Sequence, residues 1–116
     1  IKLKFKFDMI RIINNWFTTS KIKGCIDIYF SEEANVSLIM DKIDFWFYKV
    51  VANSVAISIE NMNLQNIFSQ YNLKNKIMVI PSDPTDDIMG IIFKEKLNAI
   101  ADNQAYFGDI SILFLL

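Results

Sequence analysis

The chain has 116 residues, 12 basic and 13 acidic side chains, no histidine and one cysteine, for a net charge of −1. That length holds one domain, since two halves would each be too small to bury a core. The lack of histidine excludes Ser-His-Asp and Cys-His nucleophile systems and histidine metal ligands, and a single cysteine excludes an internal disulfide framework or a zinc knuckle.

Residues 1–7 alternate strictly, with Ile1, Leu3, Phe5 and Phe7 on one face and Lys2, Lys4 and Lys6 on the other. This predicts a half-buried strand near a sheet edge, where lysines discourage further pairing. From Asp8 the period changes. Met9, Ile12, Ile13 and Trp16 recur at three and four, which predicts a short helix capped by Asp8 and ended by Thr18-Thr19-Ser20. Residues 22–30 read as a strand containing the lone Cys25. A buried, inert thiol in a reducing interior is the reading for Cys25.

Ser31-Glu32-Glu33 reads as a helix start, with acids placed favourably for the helix dipole. The helix is expected to run to about Ala52 and to carry Val36, Ile39, Met40, Ile43, Trp46, Phe47 and Val50 as its apolar stripe. Val55 to Ile59 reads as a strand, Asn61 to Gln70 as a short helix or helical loop, and Ile77 to Ile80 as a short apolar strand. Asp83-Pro84-Thr85-Asp86 opens the last helix, with Asp83 as the expected cap and Met89, Phe93, Leu97 and Ile100 as its stripe. Residues 110–116 form a final strand, apolar on both faces. Together these elements predict an α+β or α/β fold. It is a single domain over residues 1–116, with about five strands and two long and one or two short helices packed on the sheet. Strands 77–80 and 110–116 are expected in the sheet interior, because both of their faces are apolar.

Three groups of residues point toward function. Asp83, Asp86 and Asp87 stand within five residues of sequence. They are a candidate Mg²⁺ set for a metal-dependent or small-molecule enzyme, and they also read as a helix start with acids favoured by the dipole. Capping is the preferred reading, and no cofactor is assigned. Lys2, Lys4, Lys6, Arg11, Lys21 and Lys23 give the first 23 residues six bases against one acid, with Trp16 and Phe17 nearby. Bases beside aromatics are the chemistry of single-strand binding. Phe45-Trp46-Phe47-Tyr48 puts four aromatics in succession on a helix. Successive residues step about 100° around the axis, so the four cannot share one seam. Phe45, Trp46 and Tyr48 are therefore candidate interface residues, with a dimer as the default. The isolated glycines 24, 90 and 108 build no phosphate loop.

The chain holds 20 Ile, 11 Asn and 11 Lys against a single Arg. This is a codon bias that fits an AT-rich genome such as that of a phage, a giant virus or a marine bacterium. Asn15-Trp16-Phe17-Thr18-Thr19, and Asp83-Pro84-Thr85-Asp86 leading to Lys96-Leu97-Asn98-Ala99-Ile100, resemble segments of small uncharacterised proteins of large contractile-tailed phages, including marine cyanophages. The resemblance covers about a third of the chain and implies a viral origin, with residence in host cytoplasm or virion. It transfers no activity and no catalytic residue. The first functional reading is a non-enzymatic interaction or assembly protein, working as a homo-oligomer or on another protein. The alternative is a nucleic-acid-associated accessory protein using the N-terminal lysines, and the enzyme around Asp83, Asp86 and Asp87 stands third. No run of 18 apolar residues is present, so no membrane span is expected.

Overall fold

The first thirty residues form one long hairpin. In the computed structural model, which describes residues 1–61 and 76–115, β1 (Lys2–Ile13) and β2 (Trp16–Phe30) pair antiparallel without a break from Lys2↔Asp27 to Ile13↔Trp16. The turn is the two-residue Asn14-Asn15, both at positive φ (51° and 65°). Two consecutive left-handed residues are what a tight hairpin turn matching the strand twist requires, and asparagine tolerates that conformation. The expected helix over Met9–Trp16 is therefore strand and turn. The reason lies in the packing. Ile12 packs on the sheet face opposite Met9, so apolar residues fall on both faces and mimic a helical period.

A helical segment follows, made of α1 (Val36–Phe45) and a π-helical turn (Trp46–Val51). It begins later than Ser31: Asn35 is the cap, its side chain accepting from the Leu38 N–H at 3.1 Å. Then come β3 (Ser54–Ser58), β4 (Lys76–Ile80), α2 (Asp86–Ala101) and β5 (Ala105–Leu115). The cap of α2 is Thr85, whose hydroxyl accepts from the Ile88 N–H, and not Asp83. The expected helix at 61–70 falls almost wholly outside the described residues.

The five strands form one mixed sheet in the order β4-β3-β1-β2-β5. β1 pairs parallel with β3 and β3 parallel with β4, while β2 runs antiparallel to both β1 and β5. This is an α+β domain. Two sequence expectations about strand position fail. β1 is the middle strand, its lysines lying across a sheet face and not along an edge. Among the described residues β4 and β5, expected in the interior, are the two edges. Their apolar side chains on the second face stay open: Ile77 and Val79 on β4, Leu113 and Leu115 on β5.

The main core lies between one face of the sheet and the helices. Phe5, Phe7 and Met9 of β1 and Ile22, Ile26 and Ile28 of β2 meet Ile39, Ile43, Phe47, Met89, Phe93 and Leu97. Phe5 and Phe47 stack with centroids 4.3 Å apart. Phe93 meets Phe47 and Trp46 edge-on at 5.9 and 5.5 Å. The π turn decides the fate of the aromatic run. The Ala52 N–H reaches back five residues to the Phe47 carbonyl at 2.8 Å, which widens the turn and lets neighbours Trp46 and Phe47 both face the core. On the opposite face, Ile12, Val55 and Ile57 form a second, smaller buried cluster with Ile10 against it.

Candidate binding face

Strand alternation sorts the basic residues. Positions 2, 4 and 6 of β1 and 21 and 23 of β2 project from the face opposite α1 and α2, and all five lysines are exposed. The hairpin register sets their neighbours: Lys2 is opposite Asp27, Lys4 opposite Cys25, Lys6 opposite Lys23, and Asp8 opposite Lys21. Lys2 and Lys21 thus each have a carboxylate directly across the ladder. Lys4, Lys6 and Lys23 do not. Lys6 and Lys23 are a like-charge cross-strand pair, an arrangement that opposes sheet pairing. The three lysines border an open, mainly apolar concavity of about 380 Å³, whose lining is completed by Phe5, Gly24, Cys25, Tyr48, Ser111 and Leu113.

At one end of this ladder Tyr29 and Tyr106 stand opposite each other on β2 and β5, both exposed, with rings stacked at 5.4 Å and 27°. The Tyr29 ring lies over Gly108. A Cβ there would come 2.9 Å from Tyr29 Cε2, so glycine provides the space. At the other end the hairpin tip carries Trp16, 77% exposed, and Phe17, 58% exposed. The tyrosine pair was missed in the sequence. The available clue was phase: Tyr29 alternates in step with Lys21 and Lys23.

Arg11 does not belong to this face. Its odd position puts it with Phe5, Phe7 and Met9 on the helix side, 4% exposed. Its Nε donates to Ser20 Oγ at 2.8 Å, and its Nη1 donates to the Pro84 carbonyl at 3.1 Å and to Asp86 Oδ1 at 2.6 Å. The guanidinium carbon sits 4.8 Å from the centre of the Phe114 ring. Arg11 is a clamp between the hairpin and the start of α2, so it is removed from the nucleic-acid candidates.

The aspartate candidates are drawn into the same junction. Asp83 Oδ2 accepts from the Asn14 N–H at 3.0 Å, holding the hairpin turn, and Asp86 pairs with Arg11. Asp87 stands in the first turn of α2, where the helix dipole favours an acid. Among the described residues no group of three or more Cys, Asp or Glu side chains converges as a metal would need.

Of the interface candidates, Trp46 is only 7% exposed and packs on Phe47 and Phe93, so it is a core residue. Phe45 at 62% and Tyr48 at 43% remain open, with Leu38 exposed one helical stretch earlier. Among the described residues no helix is long and apolar enough to cross a membrane. No protein-family model matches the chain, and no curated protein matches its sequence.

Proposed function

We propose that this chain is a non-enzymatic binding protein whose ligand is a single strand of nucleic acid laid along the lysine face. The observation behind this reading is that Lys4, Lys6 and Lys23 are exposed side by side along one concavity, with no carboxylate directly opposite any of them. A phosphate backbone supplies the missing counter-charge, and the exposed Tyr29–Tyr106 pair offers a ring face on which a base can stack. The net charge of −1 gives no long-range attraction, so the binding is local and short-ranged. A viral accessory role in host cytoplasm or virion accords with the codon bias and with the phage resemblance.

The test is a titration of a fluorescent oligonucleotide at several salt concentrations. Wild type is expected to bind with an affinity that falls as salt rises. Replacing Lys4, Lys6 and Lys23 together by alanine is expected to lower the log–log slope by about 2, since each phosphate contact on a single strand contributes about 0.7. Absence of binding at low salt, or binding indifferent to the triple replacement, overturns the reading.

A second reading, an assembly protein that docks through α1, has its own support. Leu38, Phe45 and Tyr48 are exposed apolar side chains on one helical segment. If this surface joins copies, Phe45→Glu shifts the solution mass toward monomer while far-ultraviolet dichroism is preserved. An unchanged mass removes α1 from consideration.

A further inference from the structure

The strand that most resembles an interior strand sits at an edge. β5 is eleven residues long and carries one charged side chain, Asp109, with no lysine and no proline. Natural edge strands are kept from pairing by short length, lysines, prolines or bulges. The opposite edge shows such devices, since β4 has only five residues and opens on Lys76. β5 has neither; its one irregularity against β2 is an extra residue between Phe107 and Ile110, and from Ile110 to Leu115 the pairing is regular. Among the described residues its outer backbone N–H and C=O groups have no neighbouring strand. Apolar side chains without a lysine leave little on this part of the strand to oppose pairing with another. Among the described residues β5 has only the β2 neighbour.

Beside that edge, an open groove of about 710 Å³ runs between β5 and α2, lined by Gly90, Ile91, Lys94, Ile112, Phe114 and Leu115. Ile91 is 54% exposed, and the Cα of Gly90 faces open space, with nothing within 4 Å of where a Cβ would stand. Of the charged side chains lining the groove, Asp86 is paired with Arg11 and Asp109 stands on β5, while Asp87 and Lys94 lie on either side of the Gly90–Ile91 pair along α2.

We propose that this edge is the site of self-association, where β5 of a second copy adds antiparallel to β5 across a two-fold axis normal to the sheet. The sequence is complementary to itself under that operation. An axis between Gly90 and Ile91 sets each Gly90 against the other copy's Ile91, so that the bulky side chain fills the space a glycine leaves. The same axis sets each Asp87 against the other copy's Lys94. On the strand, an axis at Ile112 pairs Ile110 with Phe114, Ser111 with Leu113, and Asp109 with Leu115. Lys21 lies next to Leu115 on β2, so Asp109 of one copy approaches Lys21 of the other. The result is a ten-stranded sheet with both lysine faces on the same side, a doubled track for a polyanion. The proposal shares self-association with the α1 reading and places it on a different surface, and it does not depend on nucleic-acid binding.

The experiment is sedimentation equilibrium of the full chain, with α2 variants chosen on exposed positions that leave the fold intact. Wild type is expected to have the mass of two chains at tens of micromolar. Asp87→Lys alone turns two attractions into repulsions and is expected to weaken the dimer by about tenfold. Lys94→Asp added to it restores the attraction with reversed signs and recovers the dimer. Ile91→Lys should abolish it, while Phe45→Glu should leave it unchanged. In a Cys25→Ser background, Ile112→Cys is expected to give a disulfide-linked dimer on mild oxidation. A monomeric wild type, or a dimer lost in Phe45→Glu but insensitive to the α2 variants, overturns the proposal.

Discussion

Six basic side chains lie on the β1–β2 hairpin, and their surroundings could hardly differ more. Five lysines stand in water on one face, three of them with no opposing carboxylate across the ladder. Arg11 is buried on the other face, with its guanidinium hydrogen-bonded to Ser20, Pro84 and Asp86 and lying over Phe114. The difference comes from strand parity. An odd position on β1 points to the helices, an even one away from them. It also comes from chemistry, because a planar guanidinium holds its donors in fixed directions and lies flat against a ring, whereas an ammonium is a compact, strongly hydrated charge on a flexible stem. A basic residue in a sequence is thus an available charge or a structural clamp according to its phase on the strand, and the count of bases in a segment does not distinguish the two.

The largest effect should fall on the clamp. Arg11→Ala removes all three hydrogen bonds and leaves Ser20 and the Pro84 carbonyl without that partner. Breaking a buried pair costs about 3–5 kcal/mol, and because the Asp86 side chain is 65% exposed and can rehydrate, the expected loss is near the lower end, about 3 kcal/mol. Urea denaturation measures it. Lys6→Ala and Lys23→Ala, measured in the same way, should stay within about 0.5 kcal/mol of wild type. Equal losses at Arg11 and at the lysines would dissolve the contrast between the faces.

Gly24 sharpens the contrast at a second point. It occupies a core-facing position of β2, directly opposite Phe5, and a Cβ there would lie 2.2 Å from Phe5 Cζ. Gly24→Ala must push the Phe5 ring off its stack on Phe47, with an expected loss of about 1–3 kcal/mol. Cys25→Ser, one residue on and facing the lysines, should cost less than about 0.5 kcal/mol. Thermal unfolding of the two variants side by side makes the comparison.

Much of this hairpin was legible in advance. The alternation over residues 1–7 placed Phe5 and Phe7 in the core and the lysines outside, and the strand at 22–30 is present. The alternation became unreadable toward the tip because Ile10 and Ile12 face a second cluster with Val55 and Ile57. With both faces apolar, period two vanishes. Asn14-Asn15 was the remaining clue to a turn, and reading it would have carried the odd–even phase on to Arg11. The aspartates were legible as a group that starts a helix, but not their partners, since Asn14 and Arg11 are about seventy residues distant in sequence. The positions of β4 and β5 were not legible from composition, because an edge strand with apolar side chains on both faces carries the same pattern as a central one.

The turn offers a smaller test. Asn15 holds φ at 65°, which glycine adopts without the Cβ contact that asparagine must tolerate. Asn15→Gly should therefore stabilise the protein by roughly 0.5 kcal/mol, as Asn-Gly is the favoured pair for this turn. If residues 9–16 were helical in solution, the same glycine would instead destabilise by up to about 1 kcal/mol. The sign of the change in chemical denaturation therefore decides between the two local structures.

The smallest expected change in stability is the most informative about function. Lys6 and Lys23 face each other across the ladder, and like charges in that position work against the sheet. Lys6→Glu replaces the repulsion with an attraction and should stabilise the fold by a few tenths of a kcal/mol. The gain should shrink with added salt, since both groups are exposed and screened. In the oligonucleotide titration the same substitution removes one phosphate contact and repels a second, so affinity should fall while stability rises. Opposite signs in the two measurements mark a residue retained for what it binds. A variant that is more stable and binds equally well would show that the lysine pair is only a solvated strand face, and the reading of this surface as a polyanion track would fail with it.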